Sequence, residues 1–311
     1  MPVIALKIDV DTYRGTREGV PNLVRILKKH QAGATFLFSL GKDHTGWALK
    51  RAFRPGFFQK VSRTSVVEHY GFKTLMYGVF LPGPDIGQCR EEMHLVRDQG
   101  FECGIHTWDH VLWQDAVRYK DAAWTQRQMQ QAEQRFRDIF GYAAPTHGAA
   151  GWQMNGDAFR QLDSAGMQYA SDGRALLNDD GSLQNPATGP YRLSVDGKTM
   201  QCLQMPTTLP TLDELLGRDI AGKQITTANI AAHILSLTAT PRDHVFTLHA
   251  ELEGQKLAPI FEQLLSGWKA QGYDCVSMEH YFKQIANQDF PTKPLLWASV
   301  PGRSGELIAV N

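Results

Sequence analysis

Short apolar runs alternate with amphipathic helical stretches from one end of the chain to the other, and this rhythm limits the fold more than any other feature. Residues 3–8 form a continuous apolar run of buried-strand type, broken only by Lys7. Residues 17–31 then place Val20, Leu23, Val24 and Leu27 on one helical face, with Gly33 just beyond as the stop signal. A second strand is expected over 34–40, a helix over 87–99, a third strand over 101–105 and one long helix over about 114–140. The second half repeats the pattern: helix 155–166, strand 167–171, a Gly/Asn/Asp/Pro-rich loop or hairpin over 172–199 and strand 200–205. Helices near 211–217 and 226–239, strand 245–249, helix 256–271, strand 273–277 and a short helix to about 286 complete it. About seven βα units in roughly 285 residues favour one barrel over an open sheet with a second domain. The expectation is therefore an α/β chain, a distorted (β/α) barrel of about seven strands over 1–286. It carries an insert at about 41–86 and a C-terminal arm over 287–311.

Charge and cysteine usage narrow the class. Thirty-two basic and 32 acidic side chains give zero formal net charge, which argues against a general nucleic-acid binder. No signal-peptide pattern opens the sequence, and no stretch nears the ~20 apolar residues that span a bilayer. Cys89, Cys103, Cys202 and Cys275 are scattered without a C-x-x-C and read as reduced thiols. A cytoplasmic location is expected. No G-x-G-x-x-G follows the first strand, and neither G-x-x-x-x-G-K-[ST] nor G-x-S-x-G occurs, so a nucleotide cofactor and serine-hydrolase chemistry lack their central element.

In βα barrels the chemistry sits at the C-terminal ends of the strands. Three groups fall there: Asp9-Val10-Asp11 after the first strand, His106 to His110 after the third, and His249-Ala250-Glu251 after the strand at 245–249. His-x-x-x-His suits two imidazoles on one helical face sharing a metal. With 11 histidines in the chain that spacing alone is weak. The two aspartates add weight, because adjacent carboxylates resist joint ionisation unless a cation compensates. Their other reading is a cap or turn ahead of the first helix. One Asp with two His makes a set that leaves metal positions open for water and substrate, and the second Asp would serve as general base. His249 could give a proton to a leaving nitrogen, or be a strand histidine bonded to backbone.

These groups together resemble the polysaccharide deacetylase (NodB-homology) family. The resemblance implies a metal-dependent amide hydrolase with Asp9 as general base, Asp11, His106 and His110 as ligands of one divalent metal ion, and His249 as general acid. The strings IDVDTYRGTREGVP, GIHTWDH, AAGW, LPTLDELLGRD and LHAELEG, spread over residues 8–254, are similar to those members that remove a formyl group from 4-deoxy-4-formamido-L-arabinose linked to undecaprenyl phosphate, in the aminoarabinose modification of lipid A. Arg14, Trp108, Trp152, Asp172, Arg174 and Glu251 lie in these strings or between them and are the candidate substrate contacts. The family's third motif supplies an arginine near the base. Here Pro145 to Trp152 has none, which leaves Arg14 or Arg174 for that role. A de-N-acetylase of another soluble or cell-wall amino sugar, and a non-catalytic sugar-binding barrel, are the competing readings.

A lipid-linked amino sugar would need the membrane surface. Residues 44–67 hold Lys50, Arg51, Arg54, Lys60 and Arg63, no acidic residue, and Trp47, Leu49, Phe53, Phe57, Phe58 and Val61 between them. Such a segment either lies on an anionic membrane or packs on the barrel by its aromatic face. The first option makes the protein peripheral on the cytoplasmic face of the inner membrane.

Overall fold

The computed structural model describes residues 1–48 and 72–311. Most of the basic segment, from Leu49 onward, lies outside the described residues. The strands, in chain order, are β1 Val3–Val10, β2 Thr35–Ser39, β3 Glu102–Thr107, β4 Tyr169–Ala170, β5 Arg174–Ala175, β6 Tyr191–Val195 and β7 Lys198–Gln204. They continue as β8 Asp219–Ile220, β9 Lys223–Gln224, β10 His244–His249, β11 Asp274–Val276, β12 Thr292–Pro294, β13 Leu296–Ser299 and β14 Glu306–Val310.

β1 is the axis of the fold and is buried at every position. It runs parallel to β10 along one edge, while β11 and β2 share the other, β11 against residues 3–5 and β2 against residues 7–10. β3 extends the parallel sheet beyond β2. Covered on both faces, β1 and β2 are mostly apolar, which is why they read as near-continuous runs rather than alternating ones, with Lys7 and Asp9 as the buried charges of β1. From β3 the round continues through one or two backbone bonds at each step. Gly148 donates to Ile105, Ser171 to His147, Met205 to Ala170, and Thr208 to Val245 of β10. Seven staves among the described residues thus surround one core, two of them (146–148 and 205–208) too short to register as strands. The barrel expected from the sequence is present in this distorted form.

Helices wrap the outside. Val20–His30 buries Val20, Leu23, Val24, Ile26 and Leu27 and opens with a proline in its first turn, where the missing N–H costs nothing. Its stop is Gln31, in the left-handed conformation at φ 56°, and not Gly33. Gly33 serves a different need: a Cβ there would lie 3.0 Å from the Ser277 backbone nitrogen. The single helix expected over 114–140 is two, His110–Ala116 and Ala122–Phe140, joined by a short 3-10 turn. Asp121 breaks it by adopting extended backbone and accepting a hydrogen bond from the Trp124 N–H, a capping interaction that outweighs continuation. The loop over 172–199 contains β5 and then β6, which pairs antiparallel with β7 around Asp196-Gly197, both at positive φ as a tight hairpin turn requires. Past residue 287, β12 adds to β6, and β13 and β14 form a hairpin whose second strand pairs with β5. No helix among the described residues is long and apolar enough to cross a membrane.

Candidate active site

Parallel registration puts the candidate residues in one place. Asp9 lies opposite His249 of β10 on one side and Leu37 of β2 on the other. Asp11 follows on the loop leaving β1, and His106 sits near the end of β3. His110 is not on a shared helix with His106, as the spacing suggests. It opens the helix His110–Ala116 after a strand-to-helix turn capped by Asp109, whose carboxylate accepts the Leu112 N–H at 3.0 Å. The two imidazoles still stack, with centroids 5.3 Å apart.

One ligand atom each from Asp11, His106 and His110 falls within 4.8 Å of the others. The Asp11 carboxylate lies 3.2 Å from His106 Nε2 and 3.4 Å from His110 Nε2. His106 Nδ1 is 2.6 Å from the Gly148 carbonyl oxygen, which can only accept, so Nδ1 carries a hydrogen and Nε2 is the ring atom left facing Asp11. Asp11 Oδ1 and His106 Nε2 are buried and make no hydrogen bond. Burial by itself would raise the Asp11 carboxyl, but the imidazoles of His110, His106 and His249 hold it well below the usual carboxylate range. His106 is raised: burial opposes its protonation, and the carboxylates of Asp9 and Asp11 outweigh that. Two buried ligand-type atoms without hydrogen-bond partners, 3.2 Å apart and beside a second carboxylate, fit a divalent cation, which would take the deprotonated Nε2. The Gly148 carbonyl is the outer partner that fixes the ring.

Asp9 stands beside this set. Its Oδ1 is 3.7 Å from His106 Nδ1, buried and without a hydrogen bond, and its Oδ2 is 3.5 Å from Lys7 Nζ. His249 is 8% exposed, and its Nδ1 is buried without a partner. Glu253, pushed up to about 7 by burial against the pull of His249, accepts the His249 backbone N–H at 2.8 Å and fixes the turn after β10. Two aspartates and three histidines, brought together from the ends of three strands, β1, β3 and β10, are a set suited to hydrolysis.

Residues 2–170 match the family model for polysaccharide deacetylase, and the probable 4-deoxy-4-formamido-L-arabinose-phosphoundecaprenol deformylase ArnD of Shewanella sediminis is 33% identical over 307 residues, 98% of this chain and 93% of that protein. The chain belongs to the polysaccharide deacetylase family. A protein of the same description from Wigglesworthia glossinidia brevipalpis is 30% identical over 295 residues, 94% of this chain and 96% of its own. Among solved structures, a candidate polysaccharide deacetylase from Mycobacterium smegmatis superposes with a TM-score of 0.62 at 15% identity, covering 96% of this chain and 94% of its own. The probable polysaccharide deacetylase of Pseudomonas aeruginosa gives 0.56 at 13% identity, with 91% of each chain covered. At those identities the solved structures speak for the deacetylase fold alone.

Within this deacetylase fold the remaining candidates divide. Glu251 is buried, and its Oε1 accepts the N–H groups of Asp11 and Thr12 and the Thr12 hydroxyl, so it shapes the loop that presents Asp11. Burial, with Asp11 close by, pushes its carboxyl well above the ordinary range. Arg14 turns outward to Glu18 at 2.8 Å. Trp108 lies under the Arg135 guanidinium, 5.3 Å from its ring centre. Asp172 is fully buried and holds the 146–149 stave through His147 Nδ1 at 2.6 Å and the Ala149 N–H at 2.9 Å. Arg174 is also fully buried, paired twice with Glu214 and stacked 4.7 Å from the Trp152 ring centre. Neither arginine touches Asp9. The cation beside Asp9 is Lys7, which sequence reasoning passed over. Its signal was a lone lysine two residues before Asp9 in an otherwise apolar strand.

Proposed function

We propose that this deacetylase-family chain is a metal-dependent amide hydrolase that removes the formyl group from 4-deoxy-4-formamido-L-arabinose carried on undecaprenyl phosphate. The observation that carries this reading is the buried Asp11, His106 and His110 set with Asp9 and His249 beside it, in a chain similar over nearly its whole length to two curated deformylases of that substrate. Asp11, His106 and His110 would hold one divalent cation, and this mixed nitrogen–oxygen set accepts zinc, cobalt, manganese, nickel or iron. The bound cation supplies Lewis acidity toward the amide carbonyl. Asp9, through the unoccupied lone pairs of Oδ1, takes the proton from the water that attacks the formyl carbon. His249, from the adjacent strand, gives a proton to the departing sugar nitrogen. Formate and the free amine are the products. Incubating the metal-loaded protein with the lipid-linked formamido sugar should release both in equal amounts. Release from an acetamido analogue alone would assign a de-N-acetylase instead, and no release from either would remove the hydrolase reading.

The substrate's lipid places the reaction at the membrane surface, and we read this chain as a peripheral protein there. Two features support contact. Five basic residues fall within 44–67 without an acidic one, leaving the other 287 residues with a net charge of −5, since the totals are 32 and 32. The turn Val79-Phe80-Leu81, close in sequence, exposes three apolar side chains, Phe80 at 72%. Each basic residue near an anionic surface contributes about 1 kcal/mol. Changing all five to glutamate is expected to abolish flotation with anionic liposomes while formate release from a short-chain substrate persists. Undiminished flotation would contradict the assignment.

A further inference from the structure

A lysine buried on the central strand of a barrel needs an explanation. Lys7 is fully buried, and its ammonium has three neighbours. It donates to the Ser171 carbonyl at 3.1 Å, lies 3.5 Å from Asp9 Oδ2, and sits over the Trp152 ring, 5.2 Å from its centre. The side chain passes beneath Gly148, where a Cβ would come within 2.6 Å of Lys7 Cε. Trp152 itself holds φ 53°, a left-handed conformation that is costly for a bulky residue and persists only where the surroundings impose it. An uncompensated buried ammonium is strongly destabilising, so the chain keeps Lys7 only because these groups receive it. Alternation along β1 puts residues 7 and 9 on one face, so this charge is aimed at Asp9 by the strand itself.

We propose that Lys7 is the positioning residue for Asp9: anchored by Ser171 and Trp152, it holds Oδ2 and leaves Oδ1 as the atom facing the reaction. Oδ1 is the oxygen on the His106 side, buried and without a hydrogen bond, whereas Oδ2 has the Lys7 ammonium 3.5 Å away. A carboxylate with both oxygens free could rotate, and misplacement of a reacting group by about 1 Å can cost on the order of 100-fold in rate. Lys7 acts through Asp9 and does not touch substrate, and the inference rests on Asp9 being the general base.

The experiment is a double-mutant cycle on the metal-loaded protein, read as formate release. Lys7→Met keeps length and volume but removes the charge. It is expected to lower kcat by about 10- to 100-fold, with KM changed less than about threefold and with metal content and fold retained. In an Asp9→Asn background the same change should cost almost nothing further, because its only route to the chemistry is gone. Normal kcat in Lys7→Met, or losses that multiply in the double variant, would overturn the proposal. Should Lys7→Met fail to fold, Lys7→Gln keeps a donor for Ser171 without the charge and is expected to show the same kcat loss; full activity there overturns it. Thermal stability supplies a readout independent of turnover. The Lys7→Met/Asp9→Asn pair should recover stability relative to Lys7→Met alone, and no recovery means that Asp9 is not the partner. Asp9→Asn at the normal rate would sink the base assignment itself, whereas an inactive Asp9→Asn beside a fully active Lys7→Met sinks only the role of Lys7.

Discussion

Alanine at His106 or at His110 is expected to remove metal and turnover together. Each imidazole supplies one of the three atoms of the proposed ligand set. Losing an outer-shell partner of a metal site typically costs about 10- to 100-fold in affinity or activity, so losing a ligand should cost more than about 100-fold. His106 is the more severe case. It is 1% exposed, and its ring fills the space between Asp9, Asp11 and the Gly148 carbonyl. Its removal leaves Asp11 with one fewer compensating charge in a buried site, and some stability should be lost as well. His110, one-fifth exposed on the first turn of its helix, should lose metal with little effect on the melting temperature. Elemental analysis and thermal denaturation of the two purified variants separate these effects.

Asp9→Asn is expected to separate metal binding from chemistry. The substituted amide keeps the shape of the side chain beside Lys7 and His106, and Asp9 is not a member of the three-ligand cluster. Metal content should therefore stay near that of the parent. Turnover should fall by about 10²- to 10⁴-fold, the usual contribution of a positioned general base, equivalent to roughly 3–5 kcal/mol in the barrier. The competing view, that Asp9 is mainly a structural partner of Lys7, leads to a different result: reduced stability with turnover per folded molecule intact. A metal-depleted Asp9→Asn would instead make Asp9 a fourth ligand. A sugar-binding barrel without catalysis would show no turnover in the parent protein either.

The site was more legible in the sequence than the barrel that carries it. Asp9, Asp11, His106, His110 and His249 each sit at or just past the end of an apolar run, and parallel strands bring such ends together whatever the detailed topology. Long-range partnerships were beyond reach. Nothing near Lys7 in sequence announces Ser171 or Trp152, and the Arg174–Glu214 pair joins residues 40 positions apart. Hence Arg174 looked available for the base when it is committed elsewhere. The staves at 146–148 and 205–208 are too short to carry a period, so the round of the barrel could be counted from the βα rhythm but not traced. At Asp121 a single capping side chain divides an apolar periodicity that runs on past it, which a window-based reading averages away.

Metal titration joined to formate release decides whether this barrel is a metal-dependent deformylase. The protein is stripped with a chelator, then one divalent ion is added back stepwise while formate released from the lipid-linked formamido sugar is measured in the same samples. Turnover should be near zero in the stripped protein, rise in proportion to bound metal and level off at one ion per chain, with His106→Ala staying flat throughout. Full formate release by the stripped protein, or restored release in His106→Ala at the same metal concentration, would contradict a metal-dependent reaction at Asp11, His106 and His110.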